Sequence, residues 1–230
     1  MKKAKKIVKH NWFLRLIKAI LKTFKKRPKL IMEELQLPEQ AIYIANHSGA
    51  AGPLTLSMYF PKYLVPWGAH PMTENYKHRW KYLYYVFYQQ KLKYSKFRSF
   101  ILATLFGLIS KILYKGVQLI PTYTDLRLRH SISKSIEHLE VGNSLLIFPE
   151  DSEDGYEEEI KKFHSGFVYL AQKYYQVKEK HIPIIPLYYH KEKAEVRVGK
   201  QYFLKDFKST DHRSLISDFF KNVINELGYN

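Results

Sequence analysis

The chain has no cysteine among its 230 residues. That excludes disulfide staples, thiolate metal sites and a cysteine nucleophile, and it suits a reducing compartment such as the cytoplasm. Acidic residues are scarce beside basic ones, 21 against 38, for a formal charge of +17. The shortage is local: residues 1–30 carry twelve Lys or Arg and no Asp or Glu, leaving 26 basic against 21 acidic residues in the other two hundred. A body so nearly balanced, with no legible RNA or DNA module, argues against a nucleic-acid partner. Long apolar runs are missing too. The stretch from Phe100 to Ile109, between Arg98 and Lys111, is far short of the roughly 20 residues that cross a bilayer, so no transmembrane helix is expected. A secretory signal is not expected either, because Arg15, Lys18 and Lys22 interrupt the N-terminal apolar stretch and no small-residue cleavage site follows before Lys25.

What the N-terminus does hold is periodicity. Phe13, Leu16, Ile17, Ile20, Leu21 and Phe24 recur at helical spacing, with Arg15, Lys18, Lys22, Lys25 and Lys26 between them. A basic amphipathic helix of this kind lies in the headgroup region of an anionic membrane, with each nearby cation worth on the order of 1 kcal/mol, and Trp12 suits an interfacial anchor. The competing expectation is a helix packed on the rest of the chain with its lysines in water. The division expected is a membrane-associating helix over 1–30 and a catalytic domain over 31–230.

Beyond Pro28, Ala41 to Ala45 reads as a buried strand that runs into a polar loop, Asn46-His47-Ser48-Gly49-Ala50-Ala51-Gly52, with Pro53 in the first turn of a helix. Strands are also expected at Tyr63–Trp67, Val117–Ile120, Ser144–Phe148, Ile182–Tyr189 and Ala194–Val198. Helices are expected at Phe100–Leu113 (largely buried), Leu128–Leu139, Phe163–Tyr175 and Ser214–Leu227. The aromatic stretch Tyr76–Phe97 has no clear period. It leaves open a lid, the wall of a tunnel or a membrane-facing surface. Strands alternating with helices predict an α/β fold, a mixed sheet covered by helices.

In such sheets reactive groups collect on loops after strand carboxyl ends. Two loops qualify: Asn46-His47-Ser48-Gly49, and Phe148-Pro149-Glu150, which leads into the acidic run Asp151, Glu153, Asp154, Glu157, Glu158 and Glu159. With Phe163-His164-Ser165-Gly166-Phe167 and Pro183-Ile184-Ile185-Pro186, these blocks resemble, in order, the glycerophospholipid and lysophospholipid acyltransferase family that includes 1-acylglycerol-3-phosphate acyltransferases. The resemblance implies a glycerol-3-phosphate acyltransferase-like fold with a basic N-terminal helix. It also implies a transfer of a fatty acyl group from acyl-CoA or acyl-carrier protein, as co-substrate, to a lysolipid-type acceptor. His47 is the implied general base, with no cofactor and no metal. It further implies substrate-binding roles for Asn46, Ser48, Gly49, Gly52, Phe148, Pro149, Ser152, Glu153 and Gly166, and a peripheral position on the inner face of the membrane, against anionic lipid. Ser48 lacks the elbow motif of a serine nucleophile.

The departures from the family pattern fall on working positions. Gly52 stands where the family carries the Asp that orients the histidine, so a substitute carboxylate is expected from Glu150, Asp151 or Asp154. Thr122 and Glu153 stand where the family carries arginines that grip phosphate. An acidic loop there predicts a neutral, zwitterionic or cationic acceptor, while Arg127 and Arg129 offer an alternative phosphate site. The degenerate positions also raise the alternative of a catalytically silent, lipid-binding member of the same fold.

Overall fold

The computed structural model describes residues 12–49, 51–157, 159–208 and 210–229. The side chains of Trp12, Phe13, Leu14, Ile17 and Phe24 lie outside that set, as does Glu158, so the interfacial role expected of Trp12 and part of the amphipathic face fall outside the description. The elements run α1 (Trp12–Phe24), β1 (Lys29–Met32), β2 (Ile42–Ala45), α2 (Ala51–Tyr59), β3 (Leu64–Ala69), α3 (Tyr76–Lys81), α4 (Lys96–Gly116), β4 (Ile120–Thr122), α5 (Leu128–Glu140), β5 (Ser144–Ile147), α6 (Gly166–Lys178), β6 (Ile184–His190), β7 (Glu195–Val198) and α7 (Arg213–Tyr229).

Seven strands form one sheet in the order β1-β7-β6-β2-β5-β3-β4. All neighbours are parallel except β6 and β7, which are antiparallel. The α/β architecture expected from the element order is therefore present. Strand β1 straddles residue 30 and pairs with β7.

Strand β2 is buried on both faces, as a central parallel strand must be. Ile42 and Ile44 face a core completed by Leu145 and Ile147 of β5, Phe167, Val168, Leu170 and Ala171 of α6, and Phe220 of α7. Tyr43 and Ala45 face the other way, with Leu56 of α2 and Leu187 of β6. Helix α7 buries Ile216, Phe220, Ile224 and Leu227, the four-four-three spacing of a single stripe. Fully burying such side chains stabilises by roughly 1.5–3 kcal/mol each.

Helix α1 leans on α2: Lys18 Nζ donates to the Ser57 carbonyl, the Tyr59 hydroxyl donates to the Lys25 carbonyl, and Lys22 sits 5.4 Å above the Tyr59 ring. Leu16 and Ile20 remain exposed. The basic edge makes these contacts, so part of the apolar face is left to the outside.

The aromatic stretch of unclear period resolves into α3 and a wide, π-type helix over Tyr82–Lys91, both packed on α4. Met72, Leu83, Tyr88 and Ala103 make a small core there, ringed by Trp80, Tyr82, Phe87 and Phe106. Helix α4 is longer than expected, 21 residues capped by the Ser95 side chain, and is long and apolar enough to cross a membrane. The expectation of a largely buried helix is corrected. Its inner face is the small-residue stripe Ser99, Ala103, Gly107 and Ser110, and its outer face is bare. At Gly107 an added Cβ would lie 3.2 Å from the Tyr76 ring, so α3 approaches closely there, while Phe106 and Tyr114 pack on the flank.

Candidate active site

The site follows from strand register. Ile42, Tyr43 and Ile44 pair in parallel with Leu145, Leu146 and Ile147, so the loops that leave β2 and β5 emerge side by side at the carboxyl edge of the sheet. His47 and Phe148 are thus brought together, ring centroids 4.9 Å apart, and Tyr156 stacks on the imidazole at 4.4 Å and 27°.

Asn46 anchors the start of this loop. Its Oδ1 accepts from the Tyr189 amide at 2.7 Å and its Nδ2 donates to the Tyr189 carbonyl at 3.2 Å, which extends the pairing of β2 with β6 by one side chain. Both polar atoms are thereby engaged within the protein. Glu150, 8% exposed, ties the two loops together: its Oε2 accepts from the His47 amide at 3.0 Å. Burial pushes its pKa up to about 7, against the amides of His47 and Glu157, which favour the carboxylate.

Among the described residues no carboxylate holds the imidazole. His47 Nδ1 is hydrogen-bonded to the Gly49 carbonyl. A carbonyl only accepts, so Nδ1 must carry the proton, and Nε2 keeps the lone pair that a general base needs. Ser48 and Gly49 both take positive φ, 44° and 62°, and this tight left-handed turn is what swings the carbonyl back toward the ring. The expected substitutes behave differently. Glu150 takes the His47 backbone amide. Asp151 Oδ1 receives the Glu153 amide at 3.3 Å and lies 4.0 Å from His164 Nε2, and Asp154 is in an exposed turn.

Desolvation dominates the proton affinity of His47. Burial lowers its pKa to about 4, opposed by the Gly49 carbonyl and reinforced by the charge of Lys91. The Gly49 carbonyl offsets only part of that loss of water, so the neutral imidazole is favoured at physiological pH.

Gly52 explains why no side chain stands in the family's Asp position. A Cβ there would fall inside contact range of the His47 carbonyl oxygen and 3.2 Å from that of Asn46. The first turn of α2 has closed onto the loop, and the backbone occupies the space a carboxylate would need.

Two residues that sequence reasoning passed over belong to the site. Lys91, at the end of the π-type helix, donates from Nζ to Ser152 Oγ at 2.6 Å and lies 5.8 Å from the Tyr156 ring centroid. Burial lowers its pKa, and Asp151, Glu150 and Glu153 oppose that shift. Gln90 Nε2 reaches the Glu153 carbonyl at 3.0 Å, and a Leu92 methyl lies against Gly49. The insert between β3 and β4 therefore closes over the loops after β2 and β5. A lysine inside an aromatic run gives no local signal of this, because the contact is made across 61 residues of sequence. The second is Tyr156, hidden in a run read for its charge.

The other expected residues are placed as follows. Pro149 and Ser152 are buried beside Glu150, and Glu153 is exposed. Gly166 opens α6 against Trp67. Thr122 Oγ1 donates to the Gly68 carbonyl. Arg127 is engaged by Asp125, with 2.7 Å between Nη2 and Oδ2, and lies over the Tyr123 ring.

With this geometry in view, comparison with known proteins is decisive for the family. The family model Acyltransferase matches residues 29–190, which takes in both site loops and the insert. The chain belongs to the acyltransferase family. A solved 1-acyl-sn-glycerophosphate (LPA) acyltransferase, PlsC, from Thermotoga maritima is similar to this acyltransferase in fold, with a TM-score of 0.50 over 93% of this chain and 77% of that one, at 14% identity. No curated protein matches the sequence. In this acyltransferase the Asn-His loop and the Phe-Pro-Glu loop are side by side, and the orienting contact on the histidine comes from the backbone.

Proposed function

We propose that this acyltransferase moves a fatty acyl group from acyl-CoA or acyl-carrier protein to a lysolipid-type acceptor at a membrane surface, with His47 as general base. The observation that carries the reading is the imidazole of His47 at the carboxyl end of β2, with Nδ1 committed to the Gly49 carbonyl. His47 Nε2 takes the proton of the acceptor hydroxyl or amine as its oxygen or nitrogen attacks the thioester carbonyl. The backbone amides of the Ser48–Gly49 turn are the donors assigned to the resulting oxyanion. Collapse breaks the carbon–sulfur bond, and the thiolate leaves with the proton returned from His47. General-base help of this kind is worth roughly a hundred- to ten-thousand-fold.

The acceptor follows from charge. Lys91 stands among Glu150, Asp151 and Glu153, so the local balance is negative or near neutral, and a doubly charged phosphate monoester is disfavoured beside it. A neutral, zwitterionic or cationic headgroup fits. The reading includes a peripheral position on the cytoplasmic face of a membrane with anionic lipid, and the +17 charge supports it.

The test is incorporation of labelled acyl groups from acyl-CoA into a total lipid extract by wild type and His47→Ala. A labelled lipid formed by wild type alone supports the reading, and its headgroup names the acceptor. No product from acyl-CoA or an acyl-carrier protein donor sinks it in favour of a silent lipid-binding protein, and rapid acylation of lysophosphatidate sinks the charge argument.

A further inference from the structure

The outer face of α4 carries seven large apolar side chains in the open: Phe97, Phe100, Ile101, Leu105, Leu108, Ile109 and Ile112. The spacing of Phe97, Ile101, Leu105, Leu108 and Ile112 is that of one continuous stripe. These are not rim residues, since Phe97 is 77%, Leu105 61% and Leu108 63% exposed. Single exposed apolar residues are ordinary, but a contiguous stripe along about four helical turns marks a binding face.

Charge says what covers it. From residue 75 to residue 124 the chain contains no Asp or Glu, while Lys77, Arg79, Lys81, Lys91, Lys93, Lys96, Arg98, Lys111 and Lys115 all fall in that span. Lys96 and Arg98 stand at one end of the stripe, Lys111 and Lys115 at the other, all exposed. A second copy of this chain would set like charges against each other across the joint, whereas an anionic bilayer offers acyl chains to the stripe and phosphates to its flanks.

Topology decides between crossing and lying flat. The insert leaves from β3 and returns to β4, and those strands are parallel direct neighbours, with Trp67 opposite Ile120. Both ends of the insert are on one side of any membrane, and the inner face of α4 is spent on packing: Arg79 Nε donates to Ser110 Oγ, and Trp80 Nε1 to Thr104 Oγ1. A single crossing is ruled out by this connection. We infer that the outer face of α4 seats the protein in the headgroup–acyl boundary of an anionic bilayer, lying in its plane. The other side of the same insert touches the active-site loops through Gln90, Lys91 and Leu92, so docking by α4 brings His47 to the lipid. The inference rests on the proposed use of a membrane-borne acceptor, and it identifies a docking element separate from the N-terminal helix.

The experiment is co-sedimentation of the full chain with vesicles of phosphatidylcholine, with and without phosphatidylglycerol. It is run on wild type, on Leu105→Glu/Leu108→Glu, and on Leu126→Glu as a control at another exposed leucine. Circular dichroism and a sizing column are run on the same samples. The expected result is binding that requires the anionic lipid and weakens at least about tenfold in the double variant, with helix content unchanged and the control binding like wild type. Unchanged binding by the folded double variant overturns the inference. So does a wild-type dimer that the double variant dissolves while vesicle binding stays intact, since the stripe would then be a joint between copies. Acyl transfer to a short-chain, soluble lysolipid is measured in parallel. Its absence counts against the proposed function and leaves the binding result standing.

Discussion

Among the described residues no carboxylate holds the His47 imidazole, and the loop is built around that lack. The Gly49 carbonyl fixes the tautomer, and the first turn of α2 fills the volume a side chain at Gly52 would occupy. Restoring the family residue is therefore predicted to harm the protein. Gly52→Ala is expected to cost about 1–3 kcal/mol by overpacking, read as a fall of several degrees in Tm, and Gly52→Asp to lose acyl transfer. A gain of activity in Gly52→Asp would mean the loop has room for the carboxylate. Glu150 gives a second prediction. Its folded pKa is raised from 4.5 to about 7, so its stabilising contribution is full below pH 4.5 and is lost as pH rises through 7. Glu150→Gln, which keeps an acceptor for the His47 amide and cannot ionise, is expected to gain stability relative to wild type between pH 5 and 8 in urea melts. A difference that is flat with pH would show that Glu150 does not titrate there.

At the scale of elements, the insert depends on Arg79. This side chain is 3% exposed and donates to Ser110 Oγ at 3.2 Å, to the Gly107 carbonyl at 3.2 Å and to the Glu74 carbonyl. It joins α3 to α4 through neutral acceptors. Removing it takes away these hydrogen bonds, at about 1.5–3 kcal/mol for each one made by a charged group. Arg79→Met is expected to loosen the insert while the main sheet stays folded, read as hydrogen-exchange protection lost across 76–116 and kept in β2 and β6. Uniform loss would make the insert part of the global fold. This is also where sequence legibility ends. The strands at β2, β5 and β6 could be read because each is a short, almost continuously buried apolar run, and helices α5 and α7 because each buries one face at helical spacing. The insert could not: the fully buried stripe of α4 is Ser99, Ala103, Gly107 and Ser110, which carry little hydrophobic signal, while seven large apolar side chains face outward and mimic a buried helix. Strand β1 was missed for a related reason, since it is a mostly exposed edge strand. At the site, His47 and Glu150 were legible from strand ends. Lys91 and the Gly49 carbonyl were not, because one is supplied across the fold and the other is backbone.

At the scale of the molecule, the proposal is that the bare face of α4 turns the carboxyl-edge site toward an anionic lipid surface. The positive charge acts over about 10 Å at 0.1 M salt and over about 3 Å at 1 M. Turnover of acceptor presented in anionic vesicles is expected to fall severalfold as salt is raised over that range, while turnover of a short-chain soluble acceptor changes little. Equal losses for both substrates would locate the salt effect at the active site.

The account stands on a neutral His47 acting as base, and the most direct test is the pH dependence of thiol release from acyl-CoA, with a soluble lysolipid acceptor, for wild type and His47→Ala. The account predicts loss of at least about a hundredfold in the variant and an acid limb of wild-type kcat/KM near pH 4, where the buried imidazole gains its proton. An acid limb at pH 6.5 would mean a solvated or carboxylate-paired histidine, and a His47→Ala enzyme as fast as wild type would remove His47 from the chemistry.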